Sequence, residues 1–215
     1  MPEHPPRIIA FAGSMRADSY NAKLAAAVAE GSRAAGADVR VLTMRDYPLP
    51  VYDADSFDSE SADPHALFDR GGTEGGPHSI PMPEGLLRLK EQFCWADGFI
   101  LSTPEYLRSY PGMVKNMFDW LSRLAPGEAP MDNFTWKCAL PVCAAYEGGG
   151  ITALADLRRL LIGLECIVVP GGDPFMISDT LFDENGALAS AADRKRAERA
   201  GARLVRMIRA MRPSD

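Results

Sequence analysis

The stretch RIIAFAGSMRADSYN at positions 7–21 decides the fold. Residues 7–12 are a short apolar run of strand length. The run breaks at Gly13, passes through a polar turn and reaches Asn21. From there an alanine-rich segment with helical character extends over 21–35 and stops near Gly36. Strand, tight polar turn and helix, in that order, open a βαβ unit. The rhythm then repeats. Residues 38–44 alternate as a second strand. Residues 85–95 put Leu86, Leu89 and Phe93 on one helical stripe. Residues 97–103 form a third strand stopped by Pro104, and Pro111 suits a first helical position ahead of Val114, Met117, Phe118 and Leu121. A fourth strand spans 137–145, a helix 151–164, and a fifth strand 165–169, stopped by Pro170. A last helix spans 191–211 with Ala197, Ala200, Leu204, Ile208 and Met211 inward.

Strands alternating with helices predict an α/β three-layer sandwich, a parallel sheet with helices on both faces. Apolar runs without polar alternation fit strands buried on both sides. Two strand orders compete, the flavodoxin-like 2-1-3-4-5 and the longer six-stranded dinucleotide order; five strands favour the first. A length of 215 residues predicts a single domain over 1–215 with a full core of its own. The formal charge of −6, from 23 basic and 29 acidic residues, repels a phosphate backbone and argues against a nucleic-acid partner. No apolar run approaches the ~20 residues needed to span a bilayer, and the opening MPEHPPRIIA lacks a secretory pattern. The cytoplasm is the expected location. Cys94, Cys138, Cys143 and Cys166 form no CxxC pair and are expected as buried, reduced thiols. The spacing of Cys138 and Cys143 puts them on opposite faces of a strand.

Two segments are biased in charge. A long acidic insertion at about 53–84 carries Asp53, Asp55, Asp58, Glu60, Asp63, Asp69, Glu74 and Glu84 against Arg70 alone, with several glycines and prolines. It reads as a solvated loop, or as a lid or subunit-contact arm. The last helix is basic, with Arg194, Lys195, Arg196, Arg199, Arg203, Arg206, Arg209 and Arg212. This is a solvated face, or one turned toward an acidic surface such as the long loop of a neighbouring subunit.

The carboxyl ends of parallel strands share one edge of the sheet, and in the 2-1-3-4-5 order strands 1, 3 and 4 are neighbours. Their loops therefore meet in one crevice. The first loop offers the hydroxyls of Ser14 and Ser19, the amide of Asn21, helix-start N–H groups beside Tyr20, and the guanidinium of Arg16. Many donors and one fixed charge suit a phosphate. A plain capping turn would explain Ser19 as N-cap, but not Ser14 and Arg16 together. The second loop is stiffened by Pro104 and, through Glu105, presents the ring of Tyr106 as a flat surface for a planar ligand. The third, Gly148, Gly149 and Gly150, allows close backbone approach, or is only a flexible turn. Gly148-x-Gly150-x-x-Ala153 also fits a dinucleotide fingerprint, with Asp173 twenty residues on. That match follows the fourth strand instead of the first and leaves the Ser14–Arg16–Ser19 loop idle. His4, His65 and His78 are scattered, with no metal-ligand cluster, nucleophile elbow or P-loop. The chain lacks a reactive group of its own, which points to a cofactor.

These loops resemble the NADPH-dependent FMN reductase family, flavodoxin-like flavoproteins that include quinone, chromate and azo-dye reductases. The resemblance lies in GSMRADSYN at 13–21, TPEY at 103–106, PGMVKNMFDWLS at 111–122 and LFDENG at 181–186. It implies an NAD(P)H oxidoreductase that passes a hydride from NADPH, or NADH, through bound FMN to a quinone, flavin or similar small acceptor. It also implies that Ser14, Arg16, Ser19 and Asn21 hold the phosphate. Pro104, Glu105 and Tyr106 would border the isoalloxazine, with Gly148–Gly150 on its pyrimidine side. No residue would be catalytic in its own right, and the assembly would be a homodimer or homotetramer. Where the family has Asn and a small residue after Pro-Glu-Tyr, this chain has Leu107, expected at the flavin-edge contact as a cofactor-binding residue, and Arg108. The alternatives are a non-enzymatic flavodoxin-like carrier and a degenerate member that no longer binds flavin.

Overall fold

A computed structural model of the chain describes residues 4–53, 82–125, 128–146, 148–171, 174–178 and 180–212. Nearly all of the acidic insertion, at 54–81, lies outside the described residues, as do Glu147 and Asp173.

The strands β1 (Arg7–Ala12), β2 (Asp38–Leu42), β3 (Gly98–Thr103), β4 (Cys138–Ala145), β5 (Ile167–Val168) and β6 (Pro174–Met176) form one sheet. Its order is β2-β1-β3-β4-β5, with β6 also paired to β4 and every pairing parallel. The register sets Ile9 beside Arg40 on one side and Phe99 on the other. This is the flavodoxin-like order, and β1, β3 and β4 are neighbours as expected.

The edge beyond β4 departs from a single fifth strand. β5 covers only Cys138 and Ala139, and β6 covers Cys143 to Ala145. Both partners contribute to the break. The carbonyls of Lys137, Ala139 and Ala145 accept from Ile167, Val169 and Ile177 on this edge. The odd-numbered residues of β4 therefore face it, and Pro141, the odd residue in the gap, has no N–H to give. On the other side Pro170 and Gly171, the latter at φ +79°, turn the chain away before it returns as β6.

Helices cover both faces. α1 (Tyr20–Ala34) and α5 (Ala191–Met211) lie on one; α2 (Glu84–Trp95), α3 (Gly112–Leu121) and α4 (Ile151–Gly163) lie on the other. Strand alternation divides the core accordingly. Ile8, Ala10, Ile100 and Leu140 pack toward α1 and α5, and Ile9, Phe11, Phe99 and Leu101 toward α2 and α3. Burying one such aliphatic or aromatic side chain contributes about 1.5–3 kcal/mol. Leu86, Leu89, Phe93, Val114, Met117, Phe118 and Leu121 are all buried, as their spacing predicts. At the far end of α5, Met211 is exposed instead of inward, because the helix has run past the core by its last turn.

α1 and α5 cross closely enough to need glycine. A Cβ at Gly31 would lie 2.6 Å from the Cα of Glu198, and one at Gly201 would lie 2.4 Å from the carbonyl of Val28. The basic bias of α5 is largely turned onto this chain. Arg194 donates to the carbonyls of Leu188 and Ala189, and Arg196 to that of Pro174. Arg203 donates to Pro170 and Gly171, Arg209 to Ala35, and Arg212 to His4. Such charge-assisted bonds contribute about 1.5–3 kcal/mol each when well formed, and less at exposed positions. Lys195, Arg199 and Arg206 are exposed.

All four cysteines are free. Cys138, Cys143 and Cys166 are buried, whereas Cys94, near the end of α2, is exposed. Cys138 packs with the α1/α5 core and Cys143 with Leu154 of α4, on opposite faces of β4. Among the described residues no helix is long and apolar enough to cross a membrane.

Candidate functional site

The turn after β1 is ordered by its own side chains. Ser19 is the N-cap of α1, its Oγ accepting from the N–H of Ala22 at 3.3 Å. Ser14 Oγ accepts from the N–H of Arg16 at 3.3 Å. The N–H groups of Tyr20 and Asn21, in the first turn of the helix, have no acceptor among the described residues. The Asn21 side chain is buried and fully used. Its Nδ2 donates to the Ala144 carbonyl at 2.9 Å, and its Oδ1 accepts from Ser102 Oγ at 2.8 Å and from the Ala144 N–H at 2.9 Å. This amide therefore ties α1 to β3 and β4 instead of facing the crevice. The Tyr20 ring stacks on Phe182, with centroids 5.8 Å apart, and Lys23 lies over both rings. Lys23 also pairs with Asp18 at 2.6 Å and holds that exposed carboxyl below its usual range. Arg16 is exposed, and its guanidinium has no hydrogen bond or ion pair among the described residues.

The loop after β3 is a tight hairpin. Tyr106 N–H donates to the Ser109 carbonyl at 2.8 Å, and Ser109 N–H donates back at 3.2 Å. Leu107 and Arg108, the two residues between, both sit at positive φ, +47° and +70°. A two-residue turn of this hand favours Asn and Gly, so both side chains are strained here. Leu107 is fully exposed and Tyr106 half-exposed. Pro104 is buried beneath them.

Two acids fix this hairpin to α4. Glu105 Oε2 accepts from Thr152 Oγ1 at 2.6 Å and from the Ala153 N–H at 3.2 Å, and Asp156 Oδ2 accepts from Ser109 Oγ at 2.7 Å. The Glu105 carboxylate thus occupies the positive end of α4. Gly148–Gly150 form a short 3-10 turn leading into that helix. Gly150 sits at φ +85°, and a Cβ there would lie 2.0 Å from Cys143 Sγ, so both conformation and space exclude a side chain. Burial, aided by the nearby Glu105 carboxylate, pushes the Cys143 thiol up to about 12. At neutral pH it is a protonated packing group and not a nucleophile.

These elements enclose a cleft of about 90 Å³ at the carboxyl edge of the sheet. Ser14, Arg16, Ser19, Tyr20, Asn21, Glu105 and Tyr106 line it, as predicted residues, together with Ala144, Ala145, Tyr146 and Ile177. Pro104, Leu107 and Gly148–Gly150 lie outside this lining: under the hairpin, at its tip, and at the head of α4. Ile177 escaped the sequence reading because β6 was not foreseen; the Phe175/Ile177 alternation was its only signal. A second hollow, of about 560 Å³, opens beside the first and shares Ser14, Arg16 and Tyr106 with it. Gly13, Met15, Arg45, Pro111, Gly112 and Met113 complete its wall.

Residues 6–179 match the family described as NADPH-dependent FMN reductase. The chain is 30% identical over 193 residues to the 2-hydroxy-1,4-benzoquinone reductase of a Burkholderia species, covering 88% of each chain. It is 29% identical over 164 residues to a quinone reductase of Escherichia coli K12, covering 76% of this chain and 73% of that one. Among solved structures, the flavoenzyme NAD(P)H:(acceptor) oxidoreductase FerB of Paracoccus denitrificans superposes with a TM-score of 0.72 at 23% identity, covering 95% of this chain and 98% of that one. An archaeal flavodoxin superposes with a TM-score of 0.58 at 10% identity, covering 94% of this chain and 99% of that one. The sheet order, the three loops and the match across most of the length converge: the chain belongs to the NADPH-dependent FMN reductase family.

Proposed function

We propose that the chain is an FMN-dependent NAD(P)H oxidoreductase whose narrow cleft grips the flavin phosphate and whose electron acceptor is a quinone, a free flavin or a similar small molecule. The observation that carries this reading is the donor set at the head of α1: two N–H groups without acceptors, the Ser14 and Ser19 hydroxyls, and a guanidinium with no hydrogen bond or close ion pair among the described residues. Such a set is complementary to a compact oxyanion such as a phosphate. A cleft of about 90 Å³ suits the phosphate end of FMN, with the tricyclic head outside it over Tyr106.

Within this reading each residue has a distinct task. Arg16, Ser14 and the N–H groups of Tyr20 and Asn21 bind the phosphate. The Asn21 side chain positions them, by fixing α1 to the two central strands. Tyr106 offers its ring to the flavin head on a hairpin that Pro104 stiffens and Glu105 anchors. Gly148–Gly150 bring backbone N–H groups to the pyrimidine side, where negative charge grows on reduction. Bound FMN supplies the hydride-accepting centre. Leu107 and Arg108 line neither hollow, so the departure from the family pattern leaves the cleft open and favours a flavin-binding enzyme over a degenerate member. The same reading takes the chain as one domain with an acidic insertion, a cytoplasmic homodimer or homotetramer.

The test is a visible spectrum with FMN titration, followed by NADPH oxidation with and without benzoquinone. A yellow protein with quinone-dependent turnover is expected. A protein that stays colourless with added FMN overturns the reading; one that binds FMN but oxidises NADPH no faster than free flavin is an electron carrier.

A further inference from the structure

The wider hollow contains more charge than the flavin requires. Arg16 and Arg45 both line it, and among the described residues no carboxylate does. Two guanidiniums facing one cavity repel each other, and an anion between them relieves that repulsion. Arg45 is also held in place. It sits in a 3-10 turn (Met44–Asp46) pinned by buried Met44, and one of its N–H groups donates to the Met15 carbonyl. The rest of its five-donor fork stays available. The N–H groups of Gly112 and Met113, at the start of the ten-residue α3, have no acceptor among the described residues and border the same space. Ser14 adds a hydroxyl, and the side chains of Met15, Tyr106, Pro111 and Met113 make the rest of the wall apolar or aromatic. A flat ring with attached phosphates matches this combination, and a volume of about 560 Å³ is ordinary for a small-molecule site.

We propose that Arg45 binds a phosphate of the nicotinamide dinucleotide, in a hollow that adjoins the flavin cleft and shares Arg16 and Tyr106 with it. The assignment rests on the functional reading above, in which Arg16 serves the flavin phosphate and Arg45 is left for the reductant. Arg45 is then a binding residue for reductant choice, contributed by the 3-10 turn after β2 and not by any of the three loops assigned to FMN.

The test compares FMN-loaded wild type with Arg45→Ala and Arg45→Lys. KM is measured for NADPH and for NADH with benzoquinone saturating, alongside calorimetric titration with 2′,5′-ADP and with ADP. Loss of the fork is expected to raise KM about tenfold and to weaken the matching ADP analogue in proportion, with Arg45→Lys between the two. A rise for NADPH alone assigns Arg45 to the 2′-phosphate; an equal rise for both assigns it to the diphosphate. Unmoved KM values overturn the proposal. So does a parallel fall in FMN affinity, which would make Arg45 a brace for the Met15 turn, or a change of oligomeric mass, which would make the hollow a subunit seam. Wild type that takes up no FMN overturns the functional reading, and this assignment with it.

Discussion

Across the narrow cleft, the turn after β1 and the hairpin after β3 are built on opposite terms. In the first, the structural polar groups are already paired: Ser19 caps the helix, Asn21 is buried with three partners, and the exposed Asp18 is paired with Lys23. Arg16, the hydroxyl hydrogens of Ser14 and Ser19 and two helix-start N–H groups remain to face a ligand. In the second, two ordinary side chains sit in left-handed backbone at a fully exposed tip. Order there comes from below, through Glu105 and Ser109 to α4. The first turn is pre-formed; the second is strained and held from outside. Strain that persists beside a ligand cleft is a feature of working sites.

Substitutions can break or sharpen that contrast. Asn21→Ala should have the largest effect, about 3 kcal/mol of stability by chemical denaturation, because it leaves the Ser102 hydroxyl and both Ala144 backbone groups without partners in a buried setting. A loss under 1 kcal/mol would mean that the first turn is not built on this amide. Arg16→Ala should leave stability nearly unchanged but weaken FMN by about 30-fold, roughly 2 kcal/mol, in a fluorescence titration. Glu105→Ala should cost about 1–2 kcal/mol by unfastening the hairpin from α4, with Glu105→Gln closer to wild type. Smallest and opposite in sign, Arg108→Gly should stabilise by about 0.5–1 kcal/mol by relieving the left-handed strain. A destabilised Arg108→Gly would show that the hairpin is not strained after all.

Legibility in the sequence followed the same division. Strand order, helix faces and the capped polar turn after β1 all follow from local rules: apolar period, N-cap chemistry, and loops gathered on one sheet edge. The role of Asn21 did not, because its partners lie 81 and 123 residues away, and an amide at a helix start looks the same whether it faces a ligand or the core. The split edge was hidden for a related reason. Pro141 reads as an oddity inside an apolar run until the pairing direction shows which neighbour misses its N–H. Charge patterning reads the α5 arginines as a solvated face, or as one turned toward an acidic surface, because it does not reveal carbonyl oxygens within reach. Arg45 carried no motif at all; only the hollow around it singles it out.

Those arginines have an evolutionary corollary. Pro170, Gly171, Leu188, Ala189 and Ala35 are bound through their carbonyl oxygens, an atom every amino acid possesses. Except at Gly171, where a positive φ and the Arg203 guanidinium leave no room for a side chain, the latch therefore does not depend on side-chain identity on the receiving side and depends on it on the giving side. Elsewhere drift can rewrite the catching surface while the forks that fasten to it stay arginine.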